Sequence, residues 1–174
     1  VENVLIYEEL ADVILVGFSY SGLVVTGLAE VVPERIRHII YVDAFIPKNG
    51  QSLEDIVGER ISAHFHKFAH DYGNGWLVPS FFENDPRLTA QPIKTSTTPL
   101  TVTNPLAETV PRTYIKCTAK DPSWSFTPIL DEASRYAQSM GWGYKEIESD
   151  HFPMDHAQES LLRMIIEIAE EQAK

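Results

Sequence analysis

An apolar run, Asp12-Val13-Ile14-Leu15-Val16-Gly17, ends abruptly in Phe18-Ser19-Tyr20-Ser21-Gly22 and is followed by Leu23, Val24, Leu28, Val31 and Val32 at helical spacing. A β-branched run that is apolar on both faces reads as a buried parallel strand. The apolar spacing after Gly22 reads as a helix that stops at Pro33. Few folds accept a buried strand joined to a helix by so sharp a turn, and a parallel strand needs neighbours of the same direction.

The rest of the chain supplies them. Strands are expected at Ile36 to Val42, Thr113 to Thr118 and Tyr144 to Glu148. Helical patterns lie at Val4 to Leu10, at about Ile129 to Met140, and at Ala157 to Gln172, where Leu161, Leu162, Ile165, Ile166 and Ala169 form one apolar stripe. Alternating strands and helices predict an α/β fold with a mostly parallel sheet flanked by helices. The stretch 47–111 is too long for an ordinary connection and carries prolines, aromatic residues and a helical pattern around Leu53 to Phe68, so it reads as a cap insertion. The expected division is 1–46 with 112–174 as the core and 47–111 as the cap.

Ser19 stands two residues from small residues on either side, Gly17 and Ser21, between the buried strand and the helix. This is the sequence pattern of a nucleophile elbow, in which a strained turn lifts the hydroxyl above the sheet and bulky flanking side chains would clash. The helix that follows points its first amides at the same place, so the backbone N–H of Tyr20 is the candidate oxyanion donor. A serine hydroxyl needs a base. His151 follows the fourth strand in Ser149-Asp150-His151-Phe152-Pro153, and His156 is its rival at the start of the last helix. The base in turn needs a carboxylate. Asp121, after the third strand in Thr118-Ala119-Lys120-Asp121, is the first choice, and Asp43, after the second in Tyr41-Val42-Asp43-Ala44, is the second.

These stretches, with Pro33 to Pro47 and Pro111 to Thr118, resemble the α/β-hydrolases of the group that includes bacterial small-molecule esterases, plant salicylate methylesterases and hydroxynitrile lyases. The resemblance implies an α/β-hydrolase fold, a triad of Ser19, His151 and Asp121, a cap that shapes a mostly apolar pocket, and no cofactor. Where relatives commonly carry histidine or glutamate before the serine, this chain has Phe18; Phe18, Trp76 and Phe81 are the candidate substrate contacts, with Phe82 beside them. The implied reaction is cleavage of small carboxylic esters through an acyl-enzyme. A cyanohydrin lyase on the same triad, with Lys67 or Lys94 as the cation for cyanide, is one alternative. A catalytically impaired protein that keeps the elbow for folding is the other.

The elbow comes early, at residue 19, whereas in this fold several strands precede it and supply a His-Gly segment with the second oxyanion donor. Those elements would need roughly 60 residues. The fold is therefore expected to be N-terminally shortened. The strand 13–17 is then an open edge that invites pairing; either the sequence is part of a longer protein or the chain assembles as an oligomer, and for the chain as it stands a homo-oligomer covering that edge is the expectation.

The formal charge of −11, from 14 Lys+Arg and 25 Asp+Glu, disfavours nucleic acid and anionic membrane as partners. A small-molecule ester is the expected partner. One cysteine excludes an intrachain disulfide and a cysteine-based zinc site. Of His64, His66 and His70, helical spacing puts His66 and His70 on one face with no acidic partner legible in the sequence, and that face is read as part of an amphipathic helix, with no metal expected. The absence of a basic leader and of a run of roughly 20 apolar residues points to a cytoplasmic protein.

Overall fold

The computed structural model describes residues 1–80 and 88–171. In chain order the elements are α1 (Glu2–Tyr7), β1 (Val13–Phe18), α2 (Ser21–Val31), β2 (Ile36–Val42), α3 (Leu53–Val57), α4 (Glu59–Tyr72), β3 (Leu77–Val78), β4 (Gln91–Pro92), α5 (Lys94–Thr97), α6 (Pro105–Thr109), β5 (Arg112–Cys117), α7 (Thr127–Ser139), β6 (Gly143–Ile147), α8 (Pro153–His156) and α9 (Gln158–Glu171). They fall into two compact units: Val1–Ile46 with Thr101–Lys174, and Pro47–Leu100.

In the first unit, β1, β2, β5 and β6 form a parallel sheet in that order. Side chains alternate across β2: Ile39 and Tyr41 pack into one core with Val25, Leu28 and Ala29 of α2 and Ala137 of α7, and Ile40 and Val42 pack into a second with Ile147 and with Leu161 and Ile168 of α9. Both faces are covered, which is why the strand reads as a continuous apolar run. Pro33 lacks the N–H that would continue α2 and instead opens a 3-10 turn at Pro33–Arg35. Among the described residues β1 is an edge of this sheet, and its Val16 is 44% exposed.

The second unit begins where the sequence places the cap but ends at Leu100, because residues 101–111 belong to the first unit. Glu30 of α2 holds that segment: one carboxylate oxygen accepts from the backbone N–H of Thr103 and of Asn104, both at 2.8 Å. The single helix suggested around Leu53 to Phe68 is two helices. Gly58, at φ +78°, ends α3 after its Ser52–Asp55 capping box and starts α4 in a new direction.

Candidate active site

β1 and β2 run in register so that Phe18 pairs with Val42, and both chains turn sharply at the next residue. Ser19 has φ +52° and Asp43 φ +40°, the left-handed region that side chains with a Cβ enter at a cost. The two turns are laced together. Ser19 N–H donates to the Val42 carbonyl at 3.2 Å, and the Ser19 carbonyl accepts from Phe45 N–H at 3.1 Å. A Cβ at Gly17 would lie 2.8 Å from Val25 Cγ2, which accounts for a small residue two positions before the serine. On the other side the tight position is Gly22 rather than Ser21, since a Cβ there would lie 2.0 Å from the Phe45 carbonyl oxygen. The turn at Ser19 is sharp and tightly packed, with its second steric constraint one residue later than the sequence suggests.

His151 lies between the two turns. Its Nε2 is 2.9 Å from Ser19 Oγ and its Nδ1 is 2.7 Å from Asp43 Oδ2. A carboxylate only accepts hydrogen bonds, so Nδ1 carries the proton and Nε2 is left to accept from the serine hydroxyl. The ring is 7% exposed and Asp43 fully buried.

The carboxylate at His151 is thus Asp43, the second choice from sequence, and not Asp121. Asp121 lies four residues past the end of β5. It is exposed, and its Oδ1 is taken up in a local turn, accepting from Ser123 N–H at 2.8 Å and Ser123 Oγ at 2.7 Å. Those two bonds hold its carboxyl below the usual range.

The alpha/beta hydrolase family model matches residues 2–162. This chain belongs to that family. Its relative Carbendazim hydrolyzing esterase, from Nocardioides sp. (strain SG-4G), is 32% identical over 163 residues, which cover 83% of this chain and 66% of the relative. The chain therefore spans just under two thirds of that curated relative. Among solved structures, a pyrethroid hydrolase from Sphingobium faniae JZ-2 superposes with a TM-score of 0.72 at 20% identity, covering 95% of this chain and 75% of the other. An extracellular alpha/beta-hydrolase from a Paenibacillus species gives 0.67 at 20% identity, over 88% and 69%. Both solved structures share the fold of this chain.

Within this alpha/beta hydrolase, the sequence-based reading misses several groups around the imidazole. The rings of Phe18, Trp124 and Phe152 stand 4.7, 4.9 and 5.3 Å from that of His151. Of these, Phe18 alone is legible beforehand, by its place beside the serine. Lys120 Nζ donates to the second oxygen of Asp43 at 2.7 Å. A lysine beside a strand end in an acidic chain carries no signal that separates it from a surface residue. Cys117 lies against the same carboxylate, and burial next to that charge pushes its thiol up to about 12.

The remaining candidates are placed as follows. Tyr20 follows the serine as the N-terminal cap residue of α2, where its amide belongs to the helix's first turn. Trp76 lies in the second unit and is 56% exposed. Phe81 and Phe82 fall outside the described residues. His156 ends α8, separate from α9, and is bonded through Nδ1 to Asp150 at 2.9 Å. Lys67 is paired with Asp71 on α4, and Lys94 opens α5.

The three clustered histidines do have partners. His64 Nδ1 lies 2.7 Å from the Arg60 carbonyl, His66 pairs with Glu54 at 2.7 Å, and His70 with Asp71 at 2.9 Å. The acid partners missed for His66 and His70 come from α3 and from the adjacent residue. Among the described residues, no group of three or more His, Cys, Asp or Glu could hold a metal ion, and no helix is long and apolar enough to cross a membrane.

Proposed function

We propose that this chain is a serine hydrolase of small carboxylic esters, with Ser19 as nucleophile, His151 as general base and acid, and Asp43 as the carboxylate behind it. The observation that carries the reading is the bridging imidazole, 2.9 Å from Ser19 Oγ on one side and 2.7 Å from Asp43 on the other. The esterase name of the 32%-identical relative supports the substrate class.

The chemistry runs in two halves. His151 Nε2 takes the hydroxyl proton as Ser19 Oγ attacks the ester carbonyl. The carbonyl oxygen becomes an oxyanion, which the Tyr20 amide receives at the positive end of α2. The tetrahedral intermediate collapses, the alkoxide leaves with the proton from His151, and the acyl group stays on Ser19. Water then enters, gives its proton to His151, attacks the acyl carbon, and releases the acid as Ser19 recovers its proton. Asp43 holds the Nδ1 tautomer and stabilises each imidazolium without taking the proton itself. Phe18 flanks the imidazole and is the substrate contact offered by the first unit. No cofactor enters any step.

The test is a fluorophosphonate probe on the folded protein, followed by mapping of the labelled peptide and by turnover of p-nitrophenyl acetate. Labelling at Ser19 that vanishes in Ser19→Ala, together with ester turnover, is the expected result. Folded protein that takes no label overturns the reading in favour of an impaired hydrolase.

A further inference from the structure

Asp43 makes one contact that the proton transfers above do not require. While Oδ2 faces His151, Oδ1 accepts from Lys120 Nζ at 2.7 Å, and the two side chains are 0% and 2% exposed, so the ion pair is shut away from water. The ammonium is held in place by a second acceptor, the Cys117 carbonyl at 2.5 Å. Cys117 N–H adds a longer bond of 3.3 Å to the same carboxylate oxygen. Asp131 of α7 lies 4.0 Å from Nζ and is itself paired with Lys116 at 3.0 Å.

Burying a lysine this completely carries a desolvation cost that a surface position would avoid. What the position supplies is a fixed cation on the far side of the carboxylate. A carboxylate bonded through one oxygen to a fixed ammonium keeps its other oxygen aimed at the imidazole.

We propose that Lys120 is a positioning residue for the same reaction. By anchoring Oδ1 it fixes the orientation of the Asp43 carboxylate and holds Oδ2 on Nδ1 of His151, so the working unit is Ser19, His151, Asp43 and Lys120. This rests on the triad reading above. No proton passes to or from Lys120. When His151 takes the Ser19 proton, the ammonium and the carboxylate both keep their charge, and the new imidazolium forms beside an anion that is already fixed.

The other groups facing this unit leave that assignment intact. Asp131 is shared with Lys116, the Cys117 thiol stays neutral at ordinary pH, Asp150 is bonded to His156, and the rings of Phe18, Trp124 and Phe152 are uncharged.

The experiment measures the rate of fluorophosphonate labelling of Ser19 from about pH 5 to about pH 9 in the wild type, Lys120→Met, Lys120→Arg, Asp43→Asn and the Asp43→Asn/Lys120→Met double variant. Lys120→Met is expected to slow labelling ~10-fold or more, because the Asp43 carboxylate then loses the bond that aims Oδ2 at His151. Lys120→Arg is expected to regain part of the rate. In the Asp43→Asn background, adding Lys120→Met is expected to change the rate by less than about twofold, since a residue that acts through Asp43 has nothing left to act on.

The proposal is overturned if folded Lys120→Met labels at the wild-type rate across the pH range, or if it slows Asp43→Asn as much as it slows the wild type. Should Lys120→Met fail to fold, a change of more than about twofold between Asp43→Asn and the double variant, or folded Lys120→Arg labelling at the wild-type rate while its Asp43→Asn double variant is slowed, overturns the proposal. Folded wild type that takes no label at Ser19 removes the triad reading and this role together, which sets that failure apart from the others.

Discussion

Ser19 and Asp43 share one backbone conformation at matching positions: each is the first residue past its strand, at φ +52° and +40°, and the Ser19 backbone is bonded to Val42 on one side of Asp43 and Phe45 on the other. Parallel strands in register end together, so two sharp turns side by side deliver a hydroxyl and a carboxylate to the same end of the sheet. Each turn is held against its own strain by hydrogen bonds to the other. The left-handed region costs an L-residue about 1–2 kcal/mol, and glycine is exempt.

That strain is measurable at the serine. Ser19→Ala removes the hydroxyl but keeps the Cβ, whereas Ser19→Gly removes both. Ser19→Gly is expected to be more stable than Ser19→Ala by about 1 kcal/mol in urea unfolding, after the entropy that glycine loses on folding is subtracted. Equal stabilities would mean that the turn holds no strain.

The choice between two carboxylates gives a kinetic prediction. Asp43→Asn presents an amide to His151 Nδ1 and favours the wrong tautomer, so ester turnover is expected to fall by about 10⁴-fold. Asp121→Asn disturbs only the turn with Ser123 and is expected to leave turnover within about twofold, its effect limited to the local bonds. The reverse ranking of the two variants would return the role to Asp121.

Why the sequence ranks Asp121 above Asp43, although Asp43 is the carboxylate bonded to His151, follows from what a sequence encodes. Strand ends are marked by apolar runs, and the sheet, the elbow and His151 can be placed from them. Which loop carboxylate reaches the imidazole depends on strand register and on the path of residues 118–121, and neither leaves a pattern in composition. Asp121 also has a strong local alternative in Ser123, two residues on, whereas Asp43 has only buried partners brought from β5 and beyond. Lys120 carries no signal for the same reason: its partner is 77 residues away. Gly22 is no more legible, because the atom it makes room for, the Phe45 carbonyl oxygen, belongs to the next strand's turn.

Gly22 is therefore a sharper test of the elbow than the residue at the usual position. A methyl group there would sit 2.0 Å from the Phe45 oxygen, in a turn whose N–H is already bonded to Ser19, so the backbone must shift. Gly22→Ala is expected to cost about 3 kcal/mol in urea unfolding, at the upper end of overpacking penalties, and to reduce turnover by displacing Asp43 from His151. Gly17→Ala meets a movable side chain, Val25 Cγ2 at 2.8 Å, besides the Ser21 carbonyl at 3.0 Å, and is expected to cost less. The opposite order would show that α2, rather than the Asp43 turn, sets the packing of the elbow.

One ion pair beside the site ties stability to pH. Asp150 accepts from Phe152 N–H and is bonded to His156 Nδ1, both at 2.9 Å, which anchors the loop that carries His151. The bond to His156 is the main cause that holds the Asp150 carboxyl below its usual value of 3.8, and the bond to Asp150 raises the His156 imidazole above 6.5. A raised histidine stabilises the fold fully below its unfolded value and loses that contribution as pH rises through the folded one. A lowered aspartate stabilises the fold above its unfolded value and loses that contribution as pH falls through the folded one. The pair therefore contributes most between about pH 4 and about pH 6.5 and fades above neutrality as His156 loses its proton. His156→Ala is expected to lower the melting temperature relative to the wild type at about pH 5.5, with the difference closing at about pH 9. A gap that is the same at both pH values would mean that His156 contributes packing rather than charge.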